Sequence, residues 1–90
     1  MTPIEKIAAE RKRQIEVEGF DTHHDMYYQD ELIDAAAYLL TQAAGHDMGH
    51  LSFLQPDGWE DKWVESKGRE RDLIRAAALI VAELDRYETS

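Results

Sequence analysis

The chain has no cysteine, which excludes disulfides and thiolate metal sites. It has no apolar run approaching the roughly twenty residues that a membrane-spanning helix needs. Its first residues lack the basic-then-apolar layout of a secretory leader, so a cytoplasmic location is the expectation. There is no alternating strand pattern and no low-complexity tract. Basic residues are the scarcer charge: ten Lys and Arg stand against nineteen Asp and Glu, for a net −9. That balance argues against nucleic acid as a direct ligand, because phosphate contact along a strand needs a basic face. Ninety residues, 43% hydrophobic and 32% charged, fit one small folded domain spanning 1–90.

What is present is a near-repeat. Residues 30–40 read DELIDAAAYLL and residues 71–81 read RDLIRAAALIV, an offset of 41. Leu32 aligns with Leu73 and Ile33 with Ile74, while Asp30 and Asp34 align with Arg71 and Arg75. Two helices with one apolar template and opposite charges can pack closely through alanine and pair across their edges. Asp34 is accordingly expected to meet an arginine of the last helix, with Arg75 the first candidate.

Three helices follow from the periodicity. The first is capped by Thr2, with Pro3 at the first helical position and Glu5 completing a capping box. Ile4, Ile7, Ala8 and Ile15 follow helical spacing, and Arg11 falls on the same seam, where a charge must snorkel or find a partner. Gly19 ends this helix, and 20–29 is a polar connection. The second helix opens at Gln29 or Asp30, buries Leu32, Ala36, Leu39, Leu40 and Ala43, and closes at Gly45. Residues 45–67 form a long connection containing Trp59 and Trp63, expected to pack as a lid with a helical turn at 59–64. The third helix runs from about Gly68 to Tyr87, with Leu73, Ala76, Ala77, Ile80, Leu84 and Tyr87 on one seam. Ile74, Ala78 and Val81 widen that seam, so this helix should be central. The expected fold is all-α: a small three-helix domain with a long tryptophan-containing connection between helices 2 and 3. Apolar area left over by three short helices favours homodimerisation.

The charge is unevenly distributed. Lys6, Arg11, Lys12 and Arg13 cluster in the first helix, and Lys67, Arg69, Arg71 and Arg75 cluster before and within the last. Most such charges serve solubility, but two local basic patches can hold one small anion. Arg11, Arg13, Lys67 and Arg71 are the candidates for phosphate. Trp59, Trp63 and Tyr28 could stack a base, and His24 with Asp25 could bond ring or ribose edges. The plainer alternative for both tryptophans is to cover a small alanine-rich core. His23, His24, His46 and His50, with the acids of 21–34, could supply a metal site if they converged, although their spacing matches no closed zinc motif.

Glu31-x-x-Asp34 resembles half of the signature of the MazG-like nucleotide pyrophosphohydrolases. In that family E-x-x-E on one helix and E-x-x-D on the next hold magnesium beside a nucleotide triphosphate. Here no glutamate pair precedes Glu31 at that spacing, and Asp85 with Glu88 stands on the last helix instead. The order E-R-K-R-Q at 10–14, E-G-F at 18–20, His24-Asp25, Glu31-Leu32, two spaced tryptophans and R-D-L-I-R-A-A-A-L-I-V-A-E-L-D-R at 71–86 resembles a set of small bacteriophage- and prophage-encoded helical proteins. A weaker likeness is to ryanodine-receptor-type repeat domains, through an arginine-bearing helix, a glycine-aromatic pair and a late Asp-Arg element. The phage resemblance implies an accessory product of the bacterial cytoplasm that acts on host physiology or defence. No complete catalytic set is legible, so the leading expectation is binding and sequestration of a small nucleotide-like ligand without turnover and without a cofactor. The alternatives are an acidic inhibitor of a host or defence protein, and a pyrophosphohydrolase that would use magnesium at Glu31 and Asp34.

Overall fold

The computed structural model describes residues 1–18, 30–56 and 59–89. These form α1 (Pro3–Glu18), α2 (Glu31–Ala43), a single 3₁₀ turn (Ser52–Leu54), the short α3 (Asp61–Val64) and α4 (Arg69–Thr89), with no strand among the described residues. The all-α expectation therefore holds: three long helices, with a connection between α2 and α4 that includes one helical turn at Asp61–Val64.

Local chemistry explains the boundaries. The Thr2 amide donates to Glu5 Oε1 at 2.8 Å, and the Glu5 amide donates to Thr2 Oγ1 at 3.2 Å. This reciprocal cap satisfies two donors that a helix start leaves unpaired, and its hydrogen bonds hold the Glu5 carboxyl below its ordinary pKa. α2 ends on Gly45 at φ +88°. The Gly45 amide donates to Gln42 O and the His46 amide to Thr41 O, the paired bonds of a Schellman stop, which glycine adopts without a Cβ penalty.

α4 is the central helix. Its packing partners are α1 on one side and α2 on the other, and no Cα of α1 comes within 8 Å of one in α2. α2 runs antiparallel to α4, since Arg69 Nε at the start of α4 donates to Ala43 O at the end of α2. The core between them is Leu32, Ala35, Ala36 and Leu39 against Ala76, Leu79 and Ala82, with Trp59 laid over its edge. Alanine on both sides lets the backbones approach, as the near-repeat implied.

The buried faces of all three long helices differ in part from the sequence expectation. In α4 the buried face is Asp72, Ala76, Leu79 and Ala82, while Leu73, Ile80, Leu84 and Tyr87 are largely exposed. In α1 the face toward α4 is Glu10, Arg11 and Gln14, and Ile4, Ala8 and Ile15 point outward. In α2, Leu40 is also outward and Ala35 takes its place. The cause is electrostatic. Arg71 and Arg75 lie on the flank of α4 that meets α1, and a half-buried cation requires a counter-charge. Glu10 supplies it to Arg71, and α1 turns its polar face inward to do so, while Arg75 is answered within α4 by Asp72.

Candidate anion cavity

Two carboxylates organise the junction of α1, α3 and α4. Glu10 is fully buried. It accepts two hydrogen bonds from Arg13, at 2.9 and 2.8 Å, another from Arg71, and one from Gln14 Nε2 at 3.3 Å. Burial alone would push the Glu10 carboxyl up, but the Arg13 and Arg71 guanidiniums and Gln14 outweigh it and hold the group below its ordinary value. Arg13 also reaches Glu18 at 2.7 Å. Glu10 above all, and then Glu18, raise the Arg13 pKa further, so it stays charged. Glu18 is pushed up: burial dominates, the neighbouring Glu10 adds to it, and Arg13 and Arg75 only partly compensate.

Asp72 is the second organiser, also fully buried. It accepts from Ser66 Oγ at 2.8 Å, the Lys67 amide at 2.9 Å, Gln42 Nε2 at 3.4 Å and Arg75 Nη1 at 3.2 Å. Gly68, at φ +101°, makes the turn into α4. Arg75 then donates to the backbone carbonyls of Trp63 and Glu65. The approach to α4 is thus pinned by side chains from α4 itself and from α2, which fixes where Trp63 and Lys67 stand.

The result is a cavity of about 240 Å³ lined by Arg13, Glu18, Lys62, Trp63, Lys67, Arg71 and Arg75. Five cations from four segments converge on it in a chain whose net charge is −9. The Lys62 ammonium stands 5.9 Å from the Trp63 ring centroid, within cation–π range. A wider groove of about 600 Å³ that includes Lys6 and Arg69 shares Lys67 and Arg71 with the cavity as a common wall.

Of the residues expected to bind, Arg13, Trp63, Lys67 and Arg71 are brought together here. Arg11 lies outside the cavity, with its Nε 3.3 Å from Asp85 Oδ2. Trp59 packs against the core, the covering role weighed for it. His24, Asp25, Tyr28 and His23 lie outside the described residues. Lys62 and Arg75 were not singled out for this site. Lys62 belongs to neither of the two basic clusters of the sequence, and Arg75, expected to meet Asp34, pairs instead with Asp72 three residues earlier. The signal that would have found Lys62 is its place beside Trp63.

Among the described residues, no three histidines or carboxylates come together as a group that could hold a metal ion. Glu31 and Asp34 are half-buried at the start of α2. His46 and His50 are exposed, and His50 Nε2 faces Asp47 at 3.6 Å. No helix among the described residues is long and apolar enough to cross a membrane. No protein-family model, no curated protein and no solved structure matches the chain.

Proposed function

We propose that the protein binds a small nucleotide-like anion and sequesters it without turnover. The observation that carries the reading is the convergence of Arg13, Lys62, Lys67, Arg71 and Arg75 beside the Trp63 ring in an otherwise acidic chain. At about 240 Å³ the cavity is smaller than the roughly 300–1,000 Å³ that encloses a whole drug-sized ligand. It fits a phosphate or diphosphate end, with the base stacked on Trp63 and the remainder lying along the wider groove past Lys67. Planar, forked guanidiniums suit phosphate oxygens.

This reading agrees with the resemblance to phage-encoded accessory proteins, which adds that the ligand is a signal of host physiology or defence in the bacterial cytoplasm. The pyrophosphohydrolase alternative needs several carboxylates around magnesium. Glu31 and Asp34 belong to no such group among the described residues.

The test is a thermal-shift panel of phosphate, diphosphate, and linear and cyclic nucleotides, each with and without magnesium. A ligand at one hundred times its dissociation constant stabilises by about 2.7 kcal/mol, several degrees in a domain this size. A metal-independent shift that is lost in Lys67→Ala and Arg71→Ala supports the reading. Lys67 is the cleaner probe, because its side chain is half-exposed and its ion pair among the described residues is with the exposed Glu65, at 3.3 Å. A shift that survives both substitutions sinks the site. A shift that needs magnesium and a triphosphate points to hydrolysis. No shift with any anion points instead to an acidic surface that binds a host or defence protein.

A further inference from the structure

The cavity and the wider groove beside it gather seven of the chain's ten basic residues. Arg13, Lys62 and Arg75 line the cavity alone, Lys6 and Arg69 line the groove alone, and Lys67 and Arg71 form the wall between them. Among the described residues, the only opposite charges lining the two are Glu18 in the cavity and Glu70 in the groove. In a chain of net −9, that concentration of cations is more than one phosphate uses.

The two sets of cations stand apart along both helices. α1 and α4 run in the same direction here, since Lys6 Nζ donates to Glu70 Oε1 at 2.8 Å and Gln14 Nε2 donates to Arg75 O at 3.4 Å. Lys6 precedes Arg13 by seven residues and Arg69 precedes Arg75 by six, so the members of each pair are about 10 Å apart along their axis. Adjacent phosphates of one chain share a bridging oxygen and sit closer than that. The groove side is also positioned. Arg69 is exposed, and its Nε donates to Ala43 O at 3.0 Å, which anchors the guanidinium to the end of α2. Ala9 and Ile74 give the groove an apolar wall that suits the carbon face of a sugar.

We propose that the ligand is a nucleotide carrying phosphate at two positions of its sugar. Arg13 and Lys62 hold one phosphate in the cavity, Lys6 and Arg69 hold the other in the groove, and Lys67 and Arg71 reach both. This deepens the anion-binding reading above and rests on it. A monophosphate fills one side of the Lys67–Arg71 wall. A linear diphosphate concentrates its charge on one side. Only a ligand phosphorylated at both ends of the sugar meets both sets of cations.

The test is titration calorimetry of the full chain with adenosine 5′-monophosphate, adenosine 5′-diphosphate and adenosine 3′,5′-bisphosphate. Stacking on an aromatic ring tolerates any base, so adenosine serves as the probe. The bisphosphate is expected to bind roughly tenfold tighter than the monophosphate, and tighter than the diphosphate, which has as many phosphates. Lys6→Ala should bring the ratio of bisphosphate to monophosphate affinity close to one. Lys6 is half-exposed and pairs with the exposed Glu70, a surface pair whose loss leaves the fold standing. Glu70→Gln, which releases Lys6, should raise the ratio. Lys62→Ala should weaken all three ligands and keep the ratio. A wild-type ratio near one, with monophosphate binding that Lys62→Ala abolishes, overturns the second phosphate site and leaves the cavity reading intact. A diphosphate as tight as the bisphosphate overturns the separation of the two groups. A ratio that survives Lys6→Ala overturns the groove as the second site. No binding of any of the three overturns this inference and the cavity reading together.

Discussion

Asp72→Ala should destabilise the molecule at its middle. The carboxylate is fully buried and accepts hydrogen bonds from Ser66, the Lys67 amide, Gln42 and Arg75. Truncation leaves Arg75, 7% exposed, without its counter-charge and strands the turn that leads into α4. Breaking a buried pair from one side costs about 3–5 kcal/mol. A ninety-residue domain has a total stability of roughly 5–13 kcal/mol. Each kcal/mol moves the melting temperature by roughly 4–8 °C at this size, so the melt should fall by about 12–40 °C. Far-UV circular dichroism at matched protein concentration reads it. The second arm is Asp72→Leu with Arg75→Met, which removes both charges and fills the space. It should recover at least half of the loss, because an apolar replacement of a whole buried pair is often near neutral. A drop below about 5 °C in Asp72→Ala would refute the burial argument on the same scale. Strict additivity of the two sites would refute their coupling.

The remaining predictions concern titration, affinity and the turn. Glu18 faces Arg13, Glu10 and Arg75, and its carboxyl is raised by burial, so its ionised form destabilises the fold. Stability is therefore gained as pH falls through the raised Glu18 value toward 4.5, its ordinary value. Glu10 is lowered, so its contribution is complete above 4.5 and is lost as pH falls below that value. Melting temperature against pH should pass through a mildly acidic maximum, and Glu18→Gln should remove the gain on the way down while leaving the loss. Glu18→Gln should also tighten phosphate or diphosphate binding by roughly tenfold at neutral pH, about 1.4 kcal/mol, measured by titration calorimetry; an unchanged affinity would place the anion elsewhere. Gly68→Ala meets no atom within 4 Å, but Gly68 sits at φ +101°. It should cost about 1–2 kcal/mol in backbone strain alone, read as a melting shift with the cavity's ligand affinity preserved.

The fold was legible wherever one local rule decided the outcome. Thr2-Pro3-x-Glu5 fixed the first cap, Gly45 the stop of α2, and the alanines the α2–α4 contact. What periodicity alone could not give was which of two apolar faces α4 would bury. Leu73, Ala77 and Ile80 match the buried seam of α2, Leu32, Ala36 and Leu39, position for position. However, α4 must also serve α1 through Arg71 and Arg75, and that demand rotates its inner face onto Ala76 and Leu79. The outward turn of Ile4 and Ile15 has the same origin, because it follows from Glu10 answering Arg71, 61 residues away in sequence. In the cavity, Arg13, Lys67 and Arg71 were visible as local basic clusters. Arg75 stands in the same cluster, but its partner was not legible, because an i,i+3 neighbour, Asp72, competes with the more distant Asp34 and sequence spacing does not rank the two. The histidine and tyrosine candidates of 23–28 lie outside the described residues.

Glu10 and Glu18 already occupy Arg13 and, in part, Arg71, so an incoming anion does not meet bare cations. It must take guanidinium contacts from carboxylates that are covalently part of the site and present at a fixed, high local concentration. The cavity therefore carries its own competitor. A singly charged anion offers no more than the carboxylate it displaces, so chloride or acetate gains little by entering. A phosphate or diphosphate brings more charge and more acceptor oxygens than one carboxylate can match. Discrimination in such a site works as a threshold on charge density, set by two glutamates, and not by the shape of a lock.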